Sequence, residues 1–185
     1  MTKKISFIIF KIIYFIDYLL NKIFKRNFLD YFKEFLEEKS YKTIYIHNRK
    51  VNFFTPNSIT KWRVKTLFTK EPETLEWIDG FDKKDKITFW DVGANIGLYS
   101  VYAATKFDNI DVTAFEPSTS NLRILSRNIS ENNLNNKIKI NQLPLTDKNN
   151  KFLEMQESEF IEGYSMNTFG ENLDFEGNSF VSKNK

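Results

Sequence analysis

The sequence predicts an α/β fold in which a partial parallel sheet is flanked by helices, with an amphipathic N-terminal helical segment ahead of it. From residue 87 onwards, apolar runs rich in β-branched and aromatic residues alternate with segments of helical periodicity. The predicted strands and helices are, in order, 87–92, 96–107, 110–115, 118–133 and 138–145. Strands and helices that alternate in this way form parallel strands joined by right-handed crossovers.

Residues 1–40 are predicted to form a separate amphipathic helical segment. The stretch ISFIIFKIIYFIDYLL has isoleucine and leucine at helical spacing, and Lys11 and Asp17 interrupt it. A helix that spans a bilayer needs about 20 mainly apolar residues, whereas this stretch has 16 and contains two charges, so a spanning helix is the least favoured interpretation. Basic residues flank the stretch, so one interpretation is a surface helix in which residues 1–27 make peripheral membrane contact. The other interpretation is a helix that packs on the domain or on a partner.

Residues 41–85 are predicted as a hairpin and a helix that precede the main domain, which is assigned to 86–185. Two β-rich runs on either side of HNRK predict the hairpin. The stretch PETLEWID, between Glu71 and Gly80, predicts a short helix with Pro72 at its start. Residues 28–39 predict a further amphipathic helix, and 59–68 are compatible with either a helix or a strand.

Composition excludes several classes of function. The chain of 185 residues contains no cysteine and one histidine, His47. Disulfides, thiolate metal sites, a cysteine nucleophile and a multi-histidine metal site are therefore excluded, and we find no acidic cluster that argues for a metal. The net charge of +3 is too small to indicate a nucleic-acid partner. A reducing cytoplasm is compatible with this composition.

The stretch FWDVGANIG places a glycine turn directly after the first strand of the predicted sheet. Ligands of parallel sheets bind beyond the carboxyl ends of the strands. We expect Gly93 to turn sharply and admit a ligand, Gly97 to let the next helix pack close to the sheet, and the helix N-terminus to offer free N–H groups. Glu116 ends the next strand, nineteen residues after Gly97, where an acid can accept hydrogen bonds from ribose hydroxyls. These features predict a cofactor that carries adenosine.

The charge of the turn indicates which cofactor this is. The spacing is D-x-G-x-N-x-G, not the G-x-G-x-x-G of dinucleotide sites, and Asp91 is unfavourable beside an anionic pyrophosphate. S-adenosylmethionine (SAM) instead carries a cationic sulfonium and an ammonium, which a carboxylate attracts. An NAD-type oxidoreductase is therefore disfavoured by Asp91 and Asn95. A glycine turn without any ligand is the remaining alternative.

The chain resembles the FkbM family of SAM-dependent methyltransferases. The resemblance lies in FWDVGANIGLYS, TAFEPSTSNLRILSRNISENN and INQLPLTDKNN, and it covers roughly 71–150. It implies a Rossmann-like class I methyltransferase fold and methyl transfer, usually to a hydroxyl of a saccharide or another small molecule. The positions that match the family's cofactor site are Asp91, Gly93, Asn95, Gly97, Glu116 with the following Pro117, and, more loosely, Asp147 near the adenine.

The same resemblance leads us to expect an incomplete methyltransferase. A complete fold of this class has about seven strands, and we find three secure strands and a further short one at 152–155. The family's K-x-D-x-E-G-like stretch has no match, although NLDFEGNSF is superficially similar. A strand at 87–92 without a neighbour would be an exposed apolar edge through which the chain oligomerises. A non-catalytic remnant or a membrane-associated binding module is therefore an alternative to an active enzyme.

The sequence does not identify a catalytic residue. Glu71 lies upstream of the first strand, in a region that is near the cofactor in similar proteins, and it is our candidate for a site role. Its alternative is an acid at the start of a helix, favoured by the helix dipole. His47 is a further candidate for a general base, although a histidine in a hairpin loop is more often solvated. Trp62, Trp77 and Trp90 are predicted to be packing residues.

Overall fold

The computed structural model describes residues 1–82, 84–145, 154–157, 159–170, 173 and 176–182. The chain forms two compact units, Met1–Tyr41 and Lys42–Lys185. The further division of the second unit at residue 85 stays a prediction.

The first unit is a pair of helices, α1 (Thr2–Phe24) and α2 (Phe28–Glu38), which extend or match the helices predicted here. Asp17, which interrupts the apolar stretch, caps α2. Its Oδ1 accepts hydrogen bonds from the backbone N–H groups of Phe28 and Leu29 at 2.8 and 2.7 Å. These N–H groups have no partner within their own helix, so the acid has a structural reason to lie there. Among the described residues, no helix combines the length and the apolar character needed to cross a membrane.

The second unit opens with the predicted hairpin, β1 (Tyr41–Ile46) and β2 (Arg49–Phe54). His47 and Asn48 form the turn with φ angles of 47° and 65°, and two consecutive positive φ angles are typical of a type I′ hairpin. The ambiguous stretch after the hairpin is a helix, α3 (Ser58–Lys65). A reciprocal capping box between Asn57 and Thr60 starts it. Helix α4 (Pro72–Asp79) follows as predicted, with proline at its start.

The central element is a parallel sheet of three strands in the order β3-β4-β5. Its strands and helices are β3 (Ile87–Val92), α5 (Leu98–Lys106), β4 (Ile110–Phe115), α6 (Thr119–Glu131) and β5 (Ile138–Asn141). The α/β class, the parallel pairing and the order of elements are therefore confirmed, and the arrangement corresponds to one half of a Rossmann fold. The third strand is shorter than predicted, because Asn141 lies opposite Phe115, where its partner strand ends.

Strand β3 lies at one edge of this sheet and presents two different faces. Phe89 and Asp91 are buried on one face, whereas Trp90 and Val92 are 61% and 59% exposed on the other. Trp90 contacts Phe115 edge to face at 5.4 Å between ring centroids. The prediction that the tryptophans are packing residues is therefore only partly right, since each of the three side chains stays at least 47% exposed.

The last described elements are two short antiparallel strands, β6 (Met155–Glu157) and β7 (Asn167–Phe169). Of the predicted short strand at 152–155, Met155 lies in β6 and Glu154 directly precedes it, whereas 152 and 153 lie outside the described residues. Strand β7 has no counterpart in the sequence prediction. Ser118 is the N-cap residue of α6 but accepts no capping hydrogen bond from the helix backbone; its hydroxyl donates to Glu157 in β6.

Candidate functional site

The loop after β3 is held against the end of β4. The N–H groups of Gly93 and Ala94 both donate to the carbonyl of Phe115, at 2.9 and 3.0 Å. Gly93, Asn95 and Gly97 have φ angles of 76°, 51° and 81°. Glycine adopts this left-handed backbone without strain, and asparagine tolerates it better than most residues. The backbone path therefore explains the residue types at these three positions of the motif.

The contacts of this loop correct two expectations. A Cβ at Gly97 would lie 2.4 Å from Cδ1 of Leu125, so this glycine permits close approach to α6 and not to the sheet. The N–H groups from Gly93 to Gly97 all donate within the chain, and that of Ser100, in the first turn of α5, donates to Asp91. The prediction that N–H groups here are free for a ligand is therefore wrong for these six groups. A ligand at this loop has to be held mainly by side chains.

Asp91 is a buried acid whose hydrogen bonds, within the described part of the chain, all end on one of its two oxygens. Oδ2 accepts hydrogen bonds from the N–H and the hydroxyl of Ser100, at 2.9 and 2.5 Å. Burial raises the pKa of the Asp91 carboxyl, and the bonds from Ser100 oppose that rise. Asp91 also lines the cavity described below. Its second oxygen is consequently the natural partner for a cationic ligand.

Glu116 is a buried acid that uses both of its oxygens. Oε2 accepts from the N–H of Asn95 at 2.7 Å, and Oε1 accepts from the N–H of Ser118 at 2.9 Å. The side chain of Asn121 approaches Oε1 at 3.5 Å. Burial raises the pKa of Glu116, and these backbone bonds oppose the rise. Glu116 is not among the described residues that line the cavity, in contrast to Asp91.

A turn of the chain at 161–165, which we call the covering turn, is hydrogen-bonded to two residues that contact this second acid. The carbonyl of Tyr164 accepts from the side-chain amides of Asn95 and Asn121 at 2.9 and 3.0 Å. The N–H of Gly163 donates to Asn121 Oδ1 at 2.8 Å. Asn95 and Asn121 also contact Glu116, so the covering turn is held next to the acid at which ribose binding is predicted. No local sequence pattern predicts these contacts, because they join residues at least 42 positions apart.

A cavity of about 280 Å³ lies between the loop after β3 and the segment that joins α3 to α4. Its charged and hydroxyl-bearing wall includes Arg63, Lys70, Glu71, Asp91 and Tyr99. The cavity therefore combines two basic and two acidic side chains. This composition suits a zwitterionic ligand, in which ammonium and carboxylate groups lie close together.

Glu71 lies in the wall of this cavity. Its Oε2 accepts a hydrogen bond from the Tyr99 hydroxyl at 2.6 Å, and its Oε1 pairs with Lys70 at 3.1 Å. The bond from Tyr99, followed by that from Lys70, lowers the pKa of the Glu71 carboxyl. Burial and the neighbouring Glu71 raise the pKa of the Tyr99 hydroxyl. Glu71 is therefore ionised at neutral pH and is a weaker base than an ordinary glutamate.

Arg63 is a cavity residue that the sequence did not single out. It lies on α3, and its Nε donates to the carbonyl of Gly163 in the covering turn. Burial lowers the pKa of the Arg63 guanidinium, and the charges of Glu71 and Glu116 oppose that change. Arg63 thus connects the cavity with the covering turn. The element type at 59–68 was ambiguous in the sequence, so the direction of this side chain was not predictable.

The remaining candidates lie elsewhere. His47 Nε2 is 3.1 Å from the Tyr102 hydroxyl and 3.3 Å from Asp79 Oδ1, and it is not among the described residues that line the cavity. These contacts tie the hairpin turn to α4 and α5, which is a structural role. Asp147 lies outside the described residues. Pro117 follows Glu116 and precedes the N-cap residue of α6.

No family model matches the chain, and no curated relative is found. Solved structures with local similarity include a SAM-dependent methyltransferase from Agrobacterium tumefaciens, at 14% identity and a TM-score of 0.43 over 56% of this chain and 32% of that one. A putative SAM-dependent methyltransferase from Methanococcus maripaludis matches at 27% identity and a TM-score of 0.37, over 44% of this chain and 37% of that one. Precorrin-6y C5,15-methyltransferase from Geobacter metallireducens matches at 20% identity and a TM-score of 0.36, over 43% of this chain and 42% of that one. The chain thus spans well under half the length of each of these proteins.

Proposed function

We propose that the α/β unit binds S-adenosylmethionine and belongs to a methyltransferase related to the FkbM family. The observation that carries this proposal is Asp91. It is a buried carboxylate at the carboxyl end of a parallel strand, its hydrogen bonds to the described residues all end on Oδ2, and it lines a cavity. A buried acid with an unused oxygen attracts a cationic group, and SAM carries two.

The amino-acid end of SAM suits the cavity. Its carboxylate would lie near the basic side chains of Arg63 and Lys70, and its ammonium and sulfonium near Asp91 and Glu71. The lowered pKa of Glu71 keeps that side chain ionised, which favours electrostatic binding over proton abstraction. Glu71 is therefore proposed as a binding residue, and the catalytic base stays unassigned.

The adenosine end would extend toward the end of β4, past Gly93 and Asn95. Glu116 is proposed to accept hydrogen bonds from the ribose hydroxyls, and Asp147 to lie near the adenine. A carboxylate has about four acceptor sites, so Glu116 retains capacity beyond its present bonds. Because the covering turn holds the side chains of Asn95 and Asn121 next to Glu116, we propose that ribose binding displaces that turn.

The proposed reaction is an in-line transfer of the methyl group from the sulfonium to an oxygen of the acceptor. The C–S bond breaks as the C–O bond forms, the sulfur becomes neutral, and the hydroxyl proton leaves to a base or to water. The chain would contribute by holding donor and acceptor in line. We propose a saccharide or another small molecule with a hydroxyl group as acceptor, and the cytoplasm as the location.

Titration calorimetry tests the class of cofactor. We expect SAM and S-adenosylhomocysteine to bind the purified chain with micromolar affinity and NAD⁺ not to bind. Binding of NAD⁺ in preference to SAM would favour the oxidoreductase alternative. Binding of SAM without methyl transfer to any hydroxyl acceptor would favour the binding-module alternative.

We further propose that the chain self-associates through the edge of β3. Trp90 and Val92 are exposed beside the backbone of that edge, and an exposed apolar edge strand pairs readily with another chain. Light scattering of the purified chain should report an oligomer. A monodisperse monomer would contradict this proposal.

A further inference from the structure

The helical pair of the first unit exposes apolar side chains to an unusual degree. No residue of α1 or α2 is buried. Ile12, Phe15 and Ile23 are 54%, 60% and 69% exposed, and most of the other large apolar residues of α1 are similarly exposed. Contiguous exposed apolar surface of this kind marks an interaction site.

The side chains of α1 are sorted around the helix. At 100° per residue, seven of the nine aliphatic residues of α1 fall on one broad side, and they are Ile5, Ile8, Ile9, Ile12, Ile16, Leu19 and Ile23. Lys4, Lys11 and Lys22 are separated by seven and eleven residues, which are close to two and three full turns, so they form one line along the helix. The helix thus has an aliphatic face with a line of lysines beside it.

The position of α2 leaves the aliphatic face uncovered. Asp17, the only acidic residue of α1, accepts hydrogen bonds from the first residues of α2. Ile13, Leu20 and Asn21, which share that side of α1, are partly buried. The negative charge is therefore used to join the two helices, and the aliphatic face and the lysines stay available.

Charge is concentrated in the same region. Residues 1–27 contain six Lys and Arg and one Asp, a net charge of +5, whereas the rest of the chain contains 21 basic and 23 acidic residues, a net charge of −2. The segment with the largest exposed apolar face is thus also the basic segment. Aliphatic and basic groups in one helix are the combination that anionic lipid surfaces recognise.

We propose that α1 binds the surface of an anionic lipid bilayer, with its aliphatic face in the acyl region and Lys4, Lys11 and Lys22 on the lipid phosphates. Charge favours this occupant over a second copy of the chain, because two copies would bring two segments of net charge +5 together. The inference does not depend on methyl transfer, and it assigns the first unit the role of placing the α/β unit at a membrane.

Flotation of the full chain with vesicles tests the proposal. We expect binding to vesicles of phosphatidylcholine mixed with phosphatidylserine, and much weaker binding to phosphatidylcholine alone. The triple variant Lys4→Gln, Lys11→Gln, Lys22→Gln should lower partitioning to the anionic vesicles roughly 100-fold, since each basic residue near such a surface contributes about a factor of five. Glutamine forms helices nearly as well as lysine, so the fold is retained.

Two further variants distinguish the parts of the surface. Lys33→Gln with Lys39→Gln, at the second helix and its end, is the matched control and should leave partitioning nearly unchanged. Ile12→Asn with Ile16→Asn should lower binding to both kinds of vesicle, with helix content checked by circular dichroism. Failure of the chain to float with anionic vesicles, equal binding by the Lys4, Lys11, Lys22 variant, or a dimer in sedimentation that the Ile12, Ile16 variant abolishes would each overturn the proposal.

Discussion

Asp91 and Glu116 are matched in position and differ in use. Both are buried acids at or just beyond the carboxyl ends of neighbouring parallel strands, and burial raises the pKa of both. Asp91 accepts two bonds on a single oxygen and lines the cavity. Glu116 accepts bonds on both oxygens, and Asn95, one of its donors, also holds the covering turn. Asp91 therefore has an oxygen available to a ligand, whereas both oxygens of Glu116 already accept hydrogen bonds from the backbone.

The comparison shows that two acids at matching motif positions can differ in whether they are available to a ligand. In the proposed complex, Asp91 can meet the cofactor without rearrangement, whereas Glu116 requires the covering turn to move. Changes at the two acids should therefore separate binding from stability.

The largest contrast is expected in stability. Asparagine at 91 can keep its carbonyl oxygen toward Ser100 and retain both bonds. The free energy of unfolding of Asp91→Asn should therefore lie within about 0.5 kcal/mol of that of the original chain. Glutamine at 116 must turn an NH₂ group toward the N–H of Asn95 or Ser118. Leaving a buried donor without an acceptor costs about 1–3 kcal/mol, so Glu116→Gln should be destabilised by that amount. Urea unfolding followed by circular dichroism measures both values. Equal stability of the two variants would contradict the different use of the two acids.

A smaller effect is expected from loosening the covering turn. Gly163 has a φ of +84°, and a Cβ there would lie 2.9 Å from Cγ2 of Thr60. Gly163→Ala should push the covering turn away from α3 and raise the affinity for SAM about fivefold, because less must be displaced to reach Glu116. Gly177→Ala is the matched control, since Gly177 has a φ of +83° and no atom within 4 Å of a Cβ. Weaker binding by Gly163→Ala alone would mean that the covering turn is part of the binding site.

The smallest effect is a dependence on pH. Because burial raises the pKa of Asp91, the folded chain holds this proton more tightly than the unfolded chain. The contribution of this carboxyl to stability therefore falls as pH rises from its ordinary pKa to its raised value. A cationic ligand needs the ionised form, so affinity for SAM should rise severalfold as pH increases from the ordinary carboxyl pKa through the raised pKa of Asp91. Titrations at several pH values should show this rise in the original chain and a smaller rise in Asp91→Asn, in which Glu116 still titrates with a raised pKa.

Local patterns predicted the sheet and the loop, and distant contacts were beyond them. The glycine turn after Asp91 and the acid at Glu116 were readable because strand, turn and helix are adjacent in sequence. The capping pair of Asn57 and Thr60 is local in the same way, because these two residues are three positions apart and start the helix that carries Arg63. The covering turn was not predictable, because Gly163 is positioned by residues up to a hundred positions away.

Calorimetric titration of SAM into the original chain, Asp91→Asn and Asp111→Asn tests the central claim most directly. Asp111 lies on β4 and pairs with Lys86 at 2.6 Å, so it is an acid of the same sheet outside the described cavity lining. We predict micromolar binding to the original chain and to Asp111→Asn, and binding weakened roughly 10- to 100-fold in Asp91→Asn, the loss expected for one charge-assisted contact. Equal affinity of Asp91→Asn and the original chain, or no binding of SAM by the folded original chain, would contradict the claim.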